Sequence, residues 1–200
     1  MRKCLLTAMH FQSTSKEGLE KSKTLVRKNG DLCEISSRAA AFAAASALKL
    51  KKWKDVDEML HLTSNAPPVI SSSIRICALS EQAKLNEALT ELEKLLCLEE
   101  TLYLTENYCV SDEALDSLCE AIKAQPDSTE KMKRFRNLQR SVTKYGRRTE
   151  KSIEELLFTP IRFENSTFPA TISDTNESFA KSDKFDTFVR QIPYLKDEKK

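Results

Sequence analysis

The order of apolar and charged residues along this chain repeats, and that repetition restricts the folds open to it. The stretch "SALKLKKWKDVDEMLHL" at 46–62 is echoed thirty-two residues later by "ALSEQAKLNEALTELEKLL". Trp53 falls on Leu85, Val56 on Ala88, Leu60 on Leu92 and, before them, Ala47 on Leu79. The apolar positions recur at steps of three and four, which puts each set on one face of a helix. The stretches before them, "RAAAFAAASAL" and "SSIRICALSEQ", also read as helix. Breaks are expected near "KLKK" and "EQAK", although neither contains glycine or proline. A weaker copy comes first: "LLTAMHFQ" is followed by "STSKEGLEKSKTLV", with Leu19 in the place of Trp53 and Val26 in that of Leu60. "KNGD" at 28–31 and "SNAPP" at 64–68 carry residues that stop helices.

The spacing therefore predicts an all-α fold. Antiparallel helical hairpins at 2–28, 34–63 and 69–97 would stack as a short solenoid, each burying its apolar flank against the next. Residues 1–97 are expected to form the repeats, 98–160 a helical extension with the basic helix and 161–200 a flexible tail. The alanines from Ala39 to Ala47, with Phe42 among them, make a slim helix suited to a central buried position. Trp53 reads as an anchor between helices rather than a stacking platform, and Trp53, Leu60, Leu85 and Leu92 are expected to be buried between layers.

Several function classes lose support on composition. Only three glycines occur in 200 residues, too few for the ligand loops of a parallel α/β enzyme. The longest uncharged apolar run, "AAAFAAASAL", has ten residues, so no membrane span is expected. The six cysteines stand at 4, 33, 77, 97, 109 and 119, with no two-residue gap, and neither His10 nor His61 adjoins a pair of them. Neither a metal site nor a disulfide framework is expected, and Cys77 and Cys97 read as small buried thiols. The carboxylates fall on outward helix faces interspersed with lysine, and no nucleophile, base or phosphate loop accompanies them. No catalytic residue and no cofactor are expected. "MRKCLLTAMHF" reads as the start of structure rather than a targeting leader.

Charge is informative in one place. The formal net charge is only +2, yet "KMKRFRNLQRSVTKYGRR" carries Lys131, Lys133, Arg134, Arg136, Arg140, Lys144, Arg147 and Arg148 with no acid. Met132, Phe135, Leu138, Val142 and Tyr145 form the opposite, apolar stripe. Such a helix can pack on one face and offer a positive band on the other, positioning RNA through its phosphates. The same band also fits docking to a protein partner or a merely solvated face. Ser111 is expected to cap the preceding helix, Asp127 with Glu130 to cap the basic one, and Thr149 to cap a short terminal helix before Pro160. In the tail, Phe185, Phe188 and Tyr194 are candidates for a docking segment, and "NST" at 165–167 matches a glycosylation sequon only formally.

The runs "CEISSRAAAFAAASALKLKKWKDVDEMLHL", "NEALTELEKLLCLEE", "SDEALDSLCEAIKAQPDSTEKMKRF" and "RRTEKSIEELLFTP" together resemble mitochondrial members of the pentatricopeptide repeat family, over roughly residues 5–160. Tetratricopeptide signatures, at similar spacing, match poorly. The resemblance implies a non-catalytic protein of the mitochondrial matrix that binds single-stranded or structured mitochondrial RNA and serves transcript maturation or handling. A protein-interaction scaffold, or a helical-repeat subunit of the mitochondrial ribosome, is the alternative. Set beside that family, the chain is expected to open within the repeat array, with no transit peptide visible in it. The family's base-reading position on the first helix of each hairpin carries over to Thr7, Ala41 and Ser73. Thr7 and Ser73 can hydrogen-bond a base edge and Ala41 cannot, so no target sequence follows.

Overall fold

Leucine and alanine carry the chain smoothly into helices, so what shapes the architecture is how those helices stop. In the computed structural model, residues 2–27, 34–96, 108–126 and 128–159 are described. All of them fall in the first of two units, Met1–Ile161; the second, Arg162–Lys200, lies outside the described residues, as do Cys33, Cys97 and Asp127.

The first six helices are α1 (Arg2–Ser13), α2 (Lys16–Arg27), α3 (Glu34–Lys49), α4 (Trp53–Leu60), α5 (Pro68–Glu81) and α6 (Leu85–Leu96). The breaks at "KLKK" and "EQAK" are the same turn made twice. After α3, Lys51 adopts φ 54°, its N–H donating to the Leu48 carbonyl and that of Lys52 to Ala47. After α5, Ala83 adopts φ 57°, with donation from Ala83 to Ser80 and from Lys84 to Leu79. This is the Schellman closure, in which one left-handed residue lets two N–H groups satisfy the last carbonyls of the helix. Glycine normally takes that position; here lysine and alanine do. Pro68 opens α5 at its first turn, where its missing N–H costs nothing.

The chain then forms a two-residue strand β1 (Val110–Ser111), α7 (Asp112–Lys123), α8 (Thr129–Lys144), a second short strand β2 (Arg148–Thr149) and α9 (Ile153–Phe158). Among the described residues the fold is all-α apart from this parallel pair, in which Val110 faces Arg148 and Ser111 faces Thr149. The pairing was not legible in the sequence. It ties the entry of α7 to the exit of α8, so these two helices make a further hairpin.

The odd-numbered helices α1, α3, α5 and α7 contact one another in succession. Each of α2, α4 and α6 packs on the helix before it and the helix after it, and α8 lies against α6 and α7. The core runs continuously through this arrangement, from Phe11 and Leu19 through Val56, Leu85 and Leu92 to Leu118, Phe135 and Val142. Helix α3 lies at its centre. Ten consecutive residues, Arg38 to Ala47, are each no more than 3% exposed. Burial all round requires neighbours all round, and α1, α2, α4, α5 and α9 supply them. The small alanine side chains let those neighbours approach closely.

Two expectations need correction. Trp53 is only partly buried and packs against the edge of the core, whereas Leu19 and Leu85 in the equivalent places are enclosed. An indole, being large, is rarely enclosed completely. The terminal helix is capped by Ser152 rather than Thr149: Ser152 Oγ accepts from Glu155 N, and the Glu155 carboxylate accepts from Ser152 N. Thr149 lies in β2 instead.

Candidate nucleic-acid interface

Helix α8 is the first place where charge separates from packing. Its buried anchors are Phe135 and Val142, seven residues and two turns apart, with Met132 and Leu138 packed beside them. It ends in the same Schellman closure: Gly146 at φ 63° donates to Thr143 O and Arg147 N–H to Val142 O. Ser128 holds the N-cap place without a side-chain bond.

The eight cations of the basic segment divide into two sets. Arg134 reaches α6, its Nε and Nη2 donating to the two Glu93 carboxylate oxygens at 2.8 and 2.7 Å. Hydrogen bonding from that guanidinium holds the Glu93 carboxyl below its usual range. Arg147 Nη1 donates to the Leu95 and Leu96 carbonyls at 2.8 and 3.2 Å, satisfying the C-terminal end of α6. Arg148 Nη2 donates to Asp112 Oδ2 at 2.6 Å, at the first turn of α7. Lys131 Nζ donates to Gln125 Oε1 at 2.7 Å. These four side chains join elements of the fold to one another.

Lys133, Arg136, Arg140 and Lys144 form the other set. They follow at steps of three, four and four, lie opposite Phe135 and Val142, and are all exposed. Among the described residues none of the four has an ion-pair partner; Lys144 Nζ lies 5.7 Å from the centroid of the Tyr145 ring. The stripe extends for roughly 16 Å of helix. Helical period set the apolar stripe apart from the basic band, but not Lys133, Arg136, Arg140 and Lys144 from the four cations that reach partners.

Tyr145 departs from its expected place. Instead of joining the apolar stripe it is 63% exposed at the C-cap of α8, where the chain turns away through Gly146. The carried-over base-reading positions also lie elsewhere than expected. Thr7, Ala41 and Ser73 are all 0% exposed. Thr7 Oγ1 donates to the Cys4 carbonyl, and Ser73 Oγ accepts the Ser111 N–H at 2.9 Å, supporting β1. In this structure neither hydroxyl faces solvent, because each is spent on backbone inside the helix layers.

A groove of about 530 Å³ between α4, α5 and α6 is lined by residues including Asp57, His61, Arg75, Glu91 and Lys94. Glu91 pairs with both Arg75 and Lys94 at 3.5 Å, so the charges there largely neutralise one another. Among the described residues no group of three or more His, Cys, Asp or Glu side chains could hold a metal ion. No described helix is long and apolar enough to cross a membrane.

Among the described residues, fold and surface together define a class: a bundle of packed α-helices in which α8 carries an exposed basic face. Comparison with protein-family models, with curated proteins and with solved structures finds no match to this chain.

Proposed function

We propose that the protein is a non-catalytic RNA-associated helical-repeat protein that holds RNA phosphates on the outer face of α8. One observation carries this reading: Lys133, Arg136, Arg140 and Lys144 stand on one helix face, exposed and without ion-pair partners among the described residues. Mixed signs are the norm on a solvated face, and an unbroken basic stripe favours a polyanion. The successive hairpins are read as a short pentatricopeptide-like solenoid, with α7 and α8 as its last pair. The sequence resemblance to mitochondrial proteins of that family supports the matrix as the compartment and transcript maturation or handling as the process. Because Thr7 and Ser73 are enclosed, affinity is assigned to phosphate contact and shape rather than to base reading.

The test is a titration of RNA at several salt concentrations with the parent chain and a variant carrying Lys133→Gln, Arg136→Gln, Arg140→Gln and Lys144→Gln. Each single-strand phosphate contact contributes about −0.7 to the logarithmic salt slope, so four contacts give about −2.8. The variant should lose most of that slope, weaken on all sequences alike, and keep its helical circular dichroism. A variant with parental affinity and slope would rule the reading out.

A second reading, a scaffold for protein partners, has its own observation. Leu5 and Met9 are exposed one turn apart on α1. Apolar side chains so placed suit a protein neighbour rather than RNA.

A further inference from the structure

Five large apolar side chains remain exposed among the described residues: Leu5, Met9, Leu62, Tyr145 and Phe158. Two are aromatic. Phe158 has its ring against Phe11 and Phe42, with centroids 6.4 and 5.2 Å away, so it belongs to the packing of α9. Tyr145 has no aromatic neighbour among the described residues. What it has is Lys144 Nζ over its ring and, behind that lysine, the rest of the unpaired basic stripe.

We infer that Tyr145 is a base-stacking platform at the end of the phosphate track, taking one unpaired base of an RNA whose phosphates lie along α8. The inference rests on the phosphate-binding reading above and adds the residue that holds a base. A cationic track with an aromatic face at its end is the arrangement that binds single strands, because every unpaired base has a free π-face. In a duplex those faces are already covered by neighbouring bases, and side chains meet phosphates, sugars and groove edges instead. The turn at Gly146 is what makes the ring available: Tyr145 occupies the C-cap, and the next residue, at φ 63°, leads the chain away. Lys144 can hold the phosphate next to a base lying on the ring. Phenylalanine or tryptophan at position 145 would preserve stacking, and alanine would not.

The test compares the parent with Tyr145→Ala on a short oligouridylate and on an RNA duplex of equal length, across salt. Stacking one base corresponds to a loss of about 5- to 150-fold in single-strand affinity. The salt slope should stay parental, since no charge is removed, and duplex affinity should not move. Equal losses on both RNAs, or no loss on the single strand, would overturn the inference. The quadruple glutamine variant is measured alongside. If its slope flattens while Tyr145→Ala binds like the parent, stacking fails and the phosphate reading stands; if its slope does not change, both fail. A direct readout uses Trp53→Phe with Tyr145→Trp, which leaves one indole in the chain, at the proposed platform. Its fluorescence should be quenched by oligouridylate and not by the duplex, and the absence of quenching with bound oligouridylate would count against stacking.

Discussion

Lys23 shows how a single charge is accommodated inside this fold. Its side chain is 8% exposed, yet its ammonium donates to Asp55 at 2.8 Å and to Glu20 at 2.9 Å, joining α2 to α4. Burial disfavours the charge, but the hydrogen bonds to Asp55 and Glu20 outweigh it and raise the pKa above the usual lysine value of 10.5. Cys77 is raised too, for a different reason: burial pushes its thiol from 9.0 to about 12, with Glu113 adding to the effect. Cys4 and Cys109 are raised mainly by burial as well, against the opposing fields of Arg38 and Arg147. The sign is common to all four groups. The folded state keeps protons that the unfolded state releases, so their contribution is complete below the unfolded pKa values and declines as pH rises past them. Urea unfolding should therefore show stability falling from about pH 9 upward as the thiols begin to titrate in the unfolded chain. Cysteine 77 should resist alkylation at pH 8 in the native protein and react once urea unfolds it. Rapid native-state labelling of Cys77, or a flat alkaline limb, would contradict this account. The apolar surroundings of Cys77 were readable from the sequence; the Lys23 bridge was not, because its partner Asp55 is thirty-two residues away.

At the scale of elements, the repeat was readable because helical period is a local property. Leu85, Ala88, Leu89 and Leu92 fall on one face of α6 whatever that face meets. The turns were also placed closely, at "KLKK" and "EQAK", yet their chemistry was hidden. A non-glycine residue at positive φ is opposed by its own Cβ, at about 1 to 2 kcal/mol, and local sequence gives no reason to expect Lys51 or Ala83 there. The hairpin packing and the two Schellman bonds impose it. Replacing Ala83 by glycine should relieve that strain and, after the greater freedom of unfolded glycine is subtracted, stabilise the chain by about 0.5 to 1 kcal/mol. The urea midpoint should rise with an unchanged slope. A lowered midpoint would mean that the alanine methyl, exposed at the turn, makes a contact worth more than the strain.

Over the whole molecule, the six-residue helix α9 joins parts of the chain far apart in sequence. Arg38 Nη1 donates to the Leu156 carbonyl at 2.7 Å and to Leu157 at 3.3 Å, across more than a hundred residues. The Ile153 N–H donates to Glu113 of α7 at 2.6 Å, and Phe158 meets Phe11 of α1 and Phe42 of α3. A buried arginine bonded to helix carbonyls is expensive to replace by an apolar residue, since the carbonyls then lose their donor. Arg38→Met should cost about 2 kcal/mol and should speed amide exchange in α9 before the rest of the fold; protection unchanged in α9 would show that the clasp is not held by this contact. Helical period, apolar spacing and the basic run at 131–148 determined, without any structure, that the described residues are mainly helical, where the first three hairpins lie and which helix carries the charge, because each depends on residues within a few turns of one another. Only the tertiary structure decided that Arg38 would be buried, that Thr7 and Ser73 would face inward, that Arg134, Arg147 and Arg148 would bind neighbouring helices, and that Lys133, Arg136, Arg140, Lys144 and Tyr145 would be left to solvent. A side chain's partner is set by which distant segment packs against it, and that is a property of the assembled layers rather than of any stretch of sequence.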